Sequence, residues 1–115
     1  NIKDPSIRGF YSFAKEYVIR SAEKWDIDIA KALSVVDCES EGFDPQAQNS
    51  VSTSGGLYQF TDSTWKSAVT LYQKVTGYTF INPPQKKDYI GRWNAELGAF
   101  YAAKSGRGWS PWQCL

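Results

Sequence analysis

Glu39 stands where a helix would rather not have an acid. In "VVDCESEGFDPQAQN", residues 35–49, an apolar run ends on Cys38 and Glu39 and passes into a Gly/Pro loop. The carboxylate is therefore expected at the carbonyl end of a helix, where the dipole disfavours an anion and where Lys, Asn or Gly is the ordinary choice. A loop folding over that position would also desolvate the acid, and both effects favour the protonated carboxyl. A protonated carboxyl at the mouth of a cleft is what a general acid needs to protonate a glycosidic oxygen. The bland reading is an exposed Glu at a helix end, and position alone does not separate the two.

Other chemistries are narrowed by what is missing. The chain has no His and two Cys, which removes the usual Cys/His zinc sites and the Ser/His/Asp and Cys/His triads. No metal and no cofactor are expected. Other carboxylates near Glu39 have simple readings: Asp44, before Pro45, suits a turn; Asp62 suits a helix cap; Glu41 lies two residues further into the loop. Cys38 and Cys114 form either a disulfide or two buried thiols.

Six Lys/Arg face nine Asp/Glu over residues 1–60, and seven face three over residues 61–115, for a net charge of +1. That tilt lacks the dense basic stripe of a nucleic-acid binder, although a weakly basic second half suits an anionic polymer such as bacterial cell wall. Aromatics reach 16%; their apolar faces and polar tips line carbohydrate grooves, but the tryptophans are expected mainly in the core. No run of eighteen apolar residues exists, so no membrane span is expected. Beginning at Asn1 and lacking Met, the chain reads as cut from something longer.

The elements that must position Glu39 are helices. Asp4 and Pro5 open the first, which carries Phe10, Tyr11, Ala14, Val18, Ala22 and Trp25 at helical spacing over about twenty residues. Asp26 or Asp28 caps a second, with Ile29, Leu33 and Val36 inward, ending near Glu39 and Ser40. Residues 41–56 form a structured loop and "LYQF", 57–60, a short extended piece. A third helix runs from Ser63 to Val75 and closes at Gly77; a fourth runs from Gln85 to Lys104 with Ile90, Trp93, Leu97, Phe100 and Tyr101 inward. At 115 residues this is one mainly helical domain spanning 1–115.

Four short pieces then occur in order: Glu39-Ser40, Phe43-Asp44-Pro45-Gln46-Ala47, Gly56-Leu57-Tyr58-Gln59 and Ser63-Thr64-Trp65. Together they make residues 25–115 resemble the lytic transglycosylase domain of the lysozyme-like superfamily. One extra residue lies between Ser40 and Phe43, and the family's Ala-Tyr-Asn-Ala-Gly is reduced to "GAFYAAKSG", with Phe100 or Tyr101 at the tyrosine's place. The ending "GWSPWQC" is similar to the Trp-x-x-Trp-x-Cys close of compact secreted versions, a pattern that pairs Cys38 with Cys114.

The resemblance implies an α+β lysozyme-like fold, mainly α, with a long loop or small hairpin over the active-site cleft. It implies cleavage of the β-1,4 bond between N-acetylmuramic acid and N-acetylglucosamine, leaving 1,6-anhydro ends. Glu39 would be acid and then base, while Ser40, Gly56, Tyr58, Gln59 and Tyr101 would bind the glycan. The implied partner is peptidoglycan, met by a monomer in an extracytoplasmic setting. A muramidase on the same fold would need a second carboxyl, from Asp44 or Asp62. A non-catalytic wall-binding module, or a small helical interaction domain, are the other readings.

Overall fold

The computed structural model describes residues 5–88, 90–112 and 114, with side chains from Phe13 onward. Four helices follow one another: α1 Pro5–Lys24, α2 Ile29–Ser40, α3 Asp62–Thr76 and α4 Arg92–Lys104. α1 packs on α2 and α4, and α3 packs on α4. Ala14, Val18 and Ala22, one helical turn apart, are fully buried; their small volume lets neighbouring helices come close to α1. The expected apolar positions of α1 before Phe13, Phe10 and Tyr11, lie outside the described side chains.

The helix ends follow from their caps. Asp28, the later of the two candidates, starts α2 by accepting the Lys31 N–H at 2.9 Å. α2 stops at Ser40 because Glu41, the cap residue that follows, turns left-handed at φ 53°. Thr61, rather than Asp62, caps α3 through the Thr64 N–H, and Gly77 closes it at φ 78°.

Two expectations needed correction. The fourth helix begins at Arg92, not Gln85. Residues before it form turns, with Asp88 N–H on the Gln85 carbonyl and Gly91 N–H on that of Asp88. Gly91 holds φ 77°, and a Cβ there would lie 2.4 Å from Leu57 Cδ1; only glycine allows this reversal against the core. "LYQF" is not extended either. Gly55 and Phe60 exchange N–H···O bonds at 3.0 and 3.1 Å, and the residues between them make a tight turn with Gly56 at φ 82° and Gln59 at φ 52°. Among the described residues, β-structure is confined to the isolated Gly55–Phe60 and Gln48–Gly55 bridges.

One continuous core joins these parts. Val35, Val36, Leu57, Leu97 and Phe100 are fully buried, each contributing on the order of 2 kcal/mol by removal from water. Around them Phe60, Trp65, Tyr101 and Trp112 meet edge to face, with Phe60 centroids 5.1 to 6.3 Å from the other three rings. Most of the tryptophan surface is thus used for packing. No described helix is long and apolar enough to cross a membrane.

Candidate functional site

Glu39 lies in the last turn of α2 and opens onto a pocket of about 170 Å³. Its Oε2 accepts the backbone N–H of Cys114 at 3.1 Å. That donor is delivered by a disulfide between Cys38 and Cys114, 76 residues apart. Closing so long a loop removes unfolded-state entropy equivalent to about 4–5 kcal/mol in the chain-entropy model. The same crosslink places Pro111 and Trp112 as one wall of the pocket.

The rest of the lining is polar. Ser52, Ser54, Thr61 and Thr64 bring hydroxyls, and Asn49 and Gln59 bring amides. The loop carrying three of these residues is braced by its own groups. Gln48 Nε2 donates to the carbonyls of Asn49, Ser52 and Ser54 at 3.1 to 3.3 Å. Asn49 Oδ1 accepts the Val51 N–H at 2.8 Å. Gln59 Nε2 donates to the carbonyls of Ala47 and Gly56, both at 2.9 Å, so the amide ties the turn to the loop while its residue borders the pocket.

Of the residues singled out in the sequence, Glu39 and Gln59 meet in this pocket; four others are placed elsewhere. Ser40 is fully buried and its Oγ donates to the Val36 carbonyl at 2.6 Å, the helix-end role rather than a ligand contact. Gly56 makes its close approach to protein: a Cβ there would lie 2.1 Å from Asn94 Nδ2 and from the Lys86 carbonyl oxygen. Tyr58 is fully buried between Gly98, Trp109 and Trp112, so it is a core residue and not a sugar contact. Its hydroxyl has no hydrogen-bond partner among the described residues, and burial pushes the phenol above its ordinary range. Tyr101 packs on Phe60 and accepts from Arg107 Nη1 at 3.5 Å, one layer behind the pocket lining.

The other carboxylates are engaged away from the pocket. Asp44 accepts the Gln46 N–H at 2.9 Å in a local turn. Asp62 pairs with Lys86, whose ammonium also donates to the Thr53 carbonyl. Glu41 is exposed at the left-handed cap of α2. Glu39 is therefore the one carboxylate among the described lining residues. No group of three or more His, Cys, Asp or Glu side chains is placed to hold a metal ion among the described residues.

Asn94 escaped the sequence reading and holds the site together. Fully buried on α4, it accepts the Tyr58 N–H at 2.8 Å and donates to the Lys86 carbonyl at 2.7 Å. It thereby clamps the 55–60 turn, which carries Gln59, to the connector before α4. A signal for it existed: an amide at i−3 and i−7 from Leu97 and Tyr101 sits on an apolar helix face, where a polar group must find partners. The hydroxyls of Ser52, Ser54, Thr61 and Thr64 carried no such signal, because turn-forming residues are expected to be polar.

Chemically, the arrangement presents one anchored carboxyl in a small, hydroxyl-rich concavity backed by an aromatic wall. Such a site suits proton exchange with an uncharged polar ligand. The chain matches no protein-family model, and no curated protein or solved structure is significantly similar to it.

Proposed function

We propose that the protein is a peptidoglycan lytic transglycosylase, with Glu39 as its single acid and base. The observation that carries this reading is that Glu39 is the one carboxylate among the described residues lining a polar pocket. Hydrolysis by the usual two-carboxyl route needs a partner acid flanking the bond, and Asp44 and Asp62 are tied up elsewhere. The intramolecular route needs one. Glu39 gives its proton to the leaving N-acetylglucosamine oxygen as the muramic-acid C1–O bond breaks. The resulting carboxylate then takes the proton of the C6 hydroxyl as O6 bonds to C1, which regenerates the acid and forms the anhydro ring.

The 41–60 segment is the counterpart of a loop over the cleft in an α+β lysozyme-like fold, with Gln59 and the Ser/Thr hydroxyls as binding groups for sugar hydroxyl and acetamido groups. Ser40, Gly56, Tyr58 and Tyr101 support that loop from behind. The Cys38–Cys114 disulfide fits an extracytoplasmic protein acting as a monomer on the cell wall.

Digestion of purified peptidoglycan by the native chain and by Glu39→Gln, with products weighed by mass spectrometry, tests this. The expected products are lighter than hydrolytic ones by one water and absent with the variant. Reducing-end products would replace the transglycosylase by a muramidase. Wall binding without products from either protein would leave a binding module.

A further inference from the structure

A second, cationic pocket lies between α1, the end of α3 and the start of α4, and shares no lining residue with the Glu39 pocket. It encloses about 290 Å³ and is bordered by Arg20, Lys24, Arg92, Tyr78 and Trp93, with Glu96 as its acid. An open groove of about 930 Å³ adjoins it, shares Arg92 and Trp93, and adds Lys87 and Asp88.

The charges in this region are unequally used. Glu96 Oε2 already accepts from Lys24 Nζ at 2.7 Å, Trp25 Nε1 at 3.0 Å and the Tyr72 hydroxyl at 3.0 Å. Arg20 pairs with Glu16 at 2.9 Å. Arg92 and Lys87, by contrast, have no ion-pair partner among the described residues. The Arg92 guanidinium lies over the Trp93 ring, 5.0 Å from its centroid, which holds the charge beside a flat apolar face. Tyr78 adds a second ring, 5.7 Å from Trp93 and inclined by 50°, and is half exposed. The two rings meet at a corner in which the cation covers the Trp93 face and the half-exposed Tyr78 ring stands beside it.

That combination selects its ligand. A bare phosphate would use Arg92 and leave the rings idle; a neutral sugar would use the rings and leave Arg92 idle. A saccharide that carries a carboxylate or phosphate uses both, with its C–H face on Tyr78 and its anion on the Arg92 guanidinium that Trp93 supports. The groove's volume of about 930 Å³ gives neighbouring sugar units room beside Lys87. The surplus of Lys and Arg in residues 61–115 places the attracting field on the same half of the chain.

We infer that the Arg92–Trp93–Tyr78 corner, with the groove beside it, is a binding site for an acidic saccharide. It does not depend on the transglycosylase reading, since its residues are separate from those around Glu39.

Titration of the native protein with hyaluronan hexasaccharide, followed by tryptophan fluorescence and calorimetry, tests the site. Chitohexaose serves as the neutral control, and inorganic phosphate and a single-stranded oligonucleotide as other anions. The acidic hexasaccharide should bind more tightly than chitohexaose, and the preference should shrink as salt screens the charges. Removing one charge-assisted contact in Arg92→Ala should weaken binding by roughly tenfold or more. Tyr78→Ala should weaken it too, and Lys104→Ala, which removes an exposed cation outside both pockets and the groove, should leave it unchanged. Both Arg92 and Tyr78 are exposed, so the variants should fold; an unchanged thermal melt checks this, and Arg92→Lys offers a milder change that should keep part of the affinity. Equal affinity for both hexasaccharides, no binding, or binding indifferent to Arg92→Ala would overturn the proposal. So would tighter binding of phosphate or of the oligonucleotide.

Discussion

Around Glu39 the walls are irregular chain: a braced loop, a tight turn and a C-terminal tail. In the enclosed pocket beside Arg92 and Trp93 they are mostly faces of α1, α3 and α4. The first pocket owes its shape to a few specific ties: the disulfide, the Asn94 clamp, the Gln48 and Gln59 amides, and Lys86 between loop and α3. The second inherits its shape from helix packing, which spreads the load over many contacts. A pocket made from ties can be lost by cutting one of them; a pocket made from packed helices should decline gradually.

The largest break in that comparison should come from the sulfur bridge. Replacing both Cys38 and Cys114 by Ser should cost about 4–5 kcal/mol in denaturant unfolding, and should free Trp112, now 4% exposed, to solvent quenchers before Trp93 responds. A loss below about 1 kcal/mol would mean that the tail is held by its aromatics instead. Next in size is Asn94→Ala. It strands the buried Tyr58 N–H and Lys86 carbonyl, at a cost of about 3 kcal/mol, and should lower any activity of the Glu39 pocket more than binding at Arg92. Equal effects on both pockets would erase the proposed contrast.

A smaller effect of opposite sign is expected at Tyr58. Its buried hydroxyl is unsatisfied, so Tyr58→Phe should raise stability by about 1 kcal/mol. Alkaline titration extends this test. Burial raises the Tyr58 phenol; burial first, and then Glu96, raise that of Tyr72. A raised folded value means that the stabilisation is full below the unfolded tyrosine value of about 10 and is lost as pH climbs beyond it. Phenolate absorbance from these two residues should therefore appear only with unfolding, and Tyr58→Phe should push that unfolding to higher pH. The smallest effect belongs to Arg20 and Glu16, whose side chains are 72% and 53% exposed. Breaking this pair with Glu16→Ala should change stability by no more than about 0.5 kcal/mol.

What could be read from the sequence follows the same divide. Helical periodicity placed Ala14, Val18 and Ala22 in the core, and the capping residues placed the ends of α2 and α3, because both signals are local. The expected start at Gln85 misses the reversal at Gly91, because the packing of that turn against Leu57, 34 residues earlier, leaves no local signal. The 57–60 segment was misread for a related reason. Its apolar residues suit a strand, but Asn94 and the Phe60–Gly55 bonds impose a turn from outside. The place of Glu39 in the last turn of α2 was legible from the local pattern of an apolar run meeting a Gly/Pro loop. Tyr58 was misassigned because an aromatic next to a polar motif looks the same whether it faces a ligand or the space above Gly98.

The tail's attachment also has a consequence in time. Glu39 is synthesised 75 residues ahead of the N–H that its carboxylate meets. Until Cys114 has been made and joined to Cys38, α2 can be complete while the pocket lacks the Pro111–Trp112 wall and the donor on Glu39. The order of synthesis thus makes the pocket among the last features to mature, and a partly made chain carries the Glu39 carboxylate without the wall and the N–H that surround it in the finished protein.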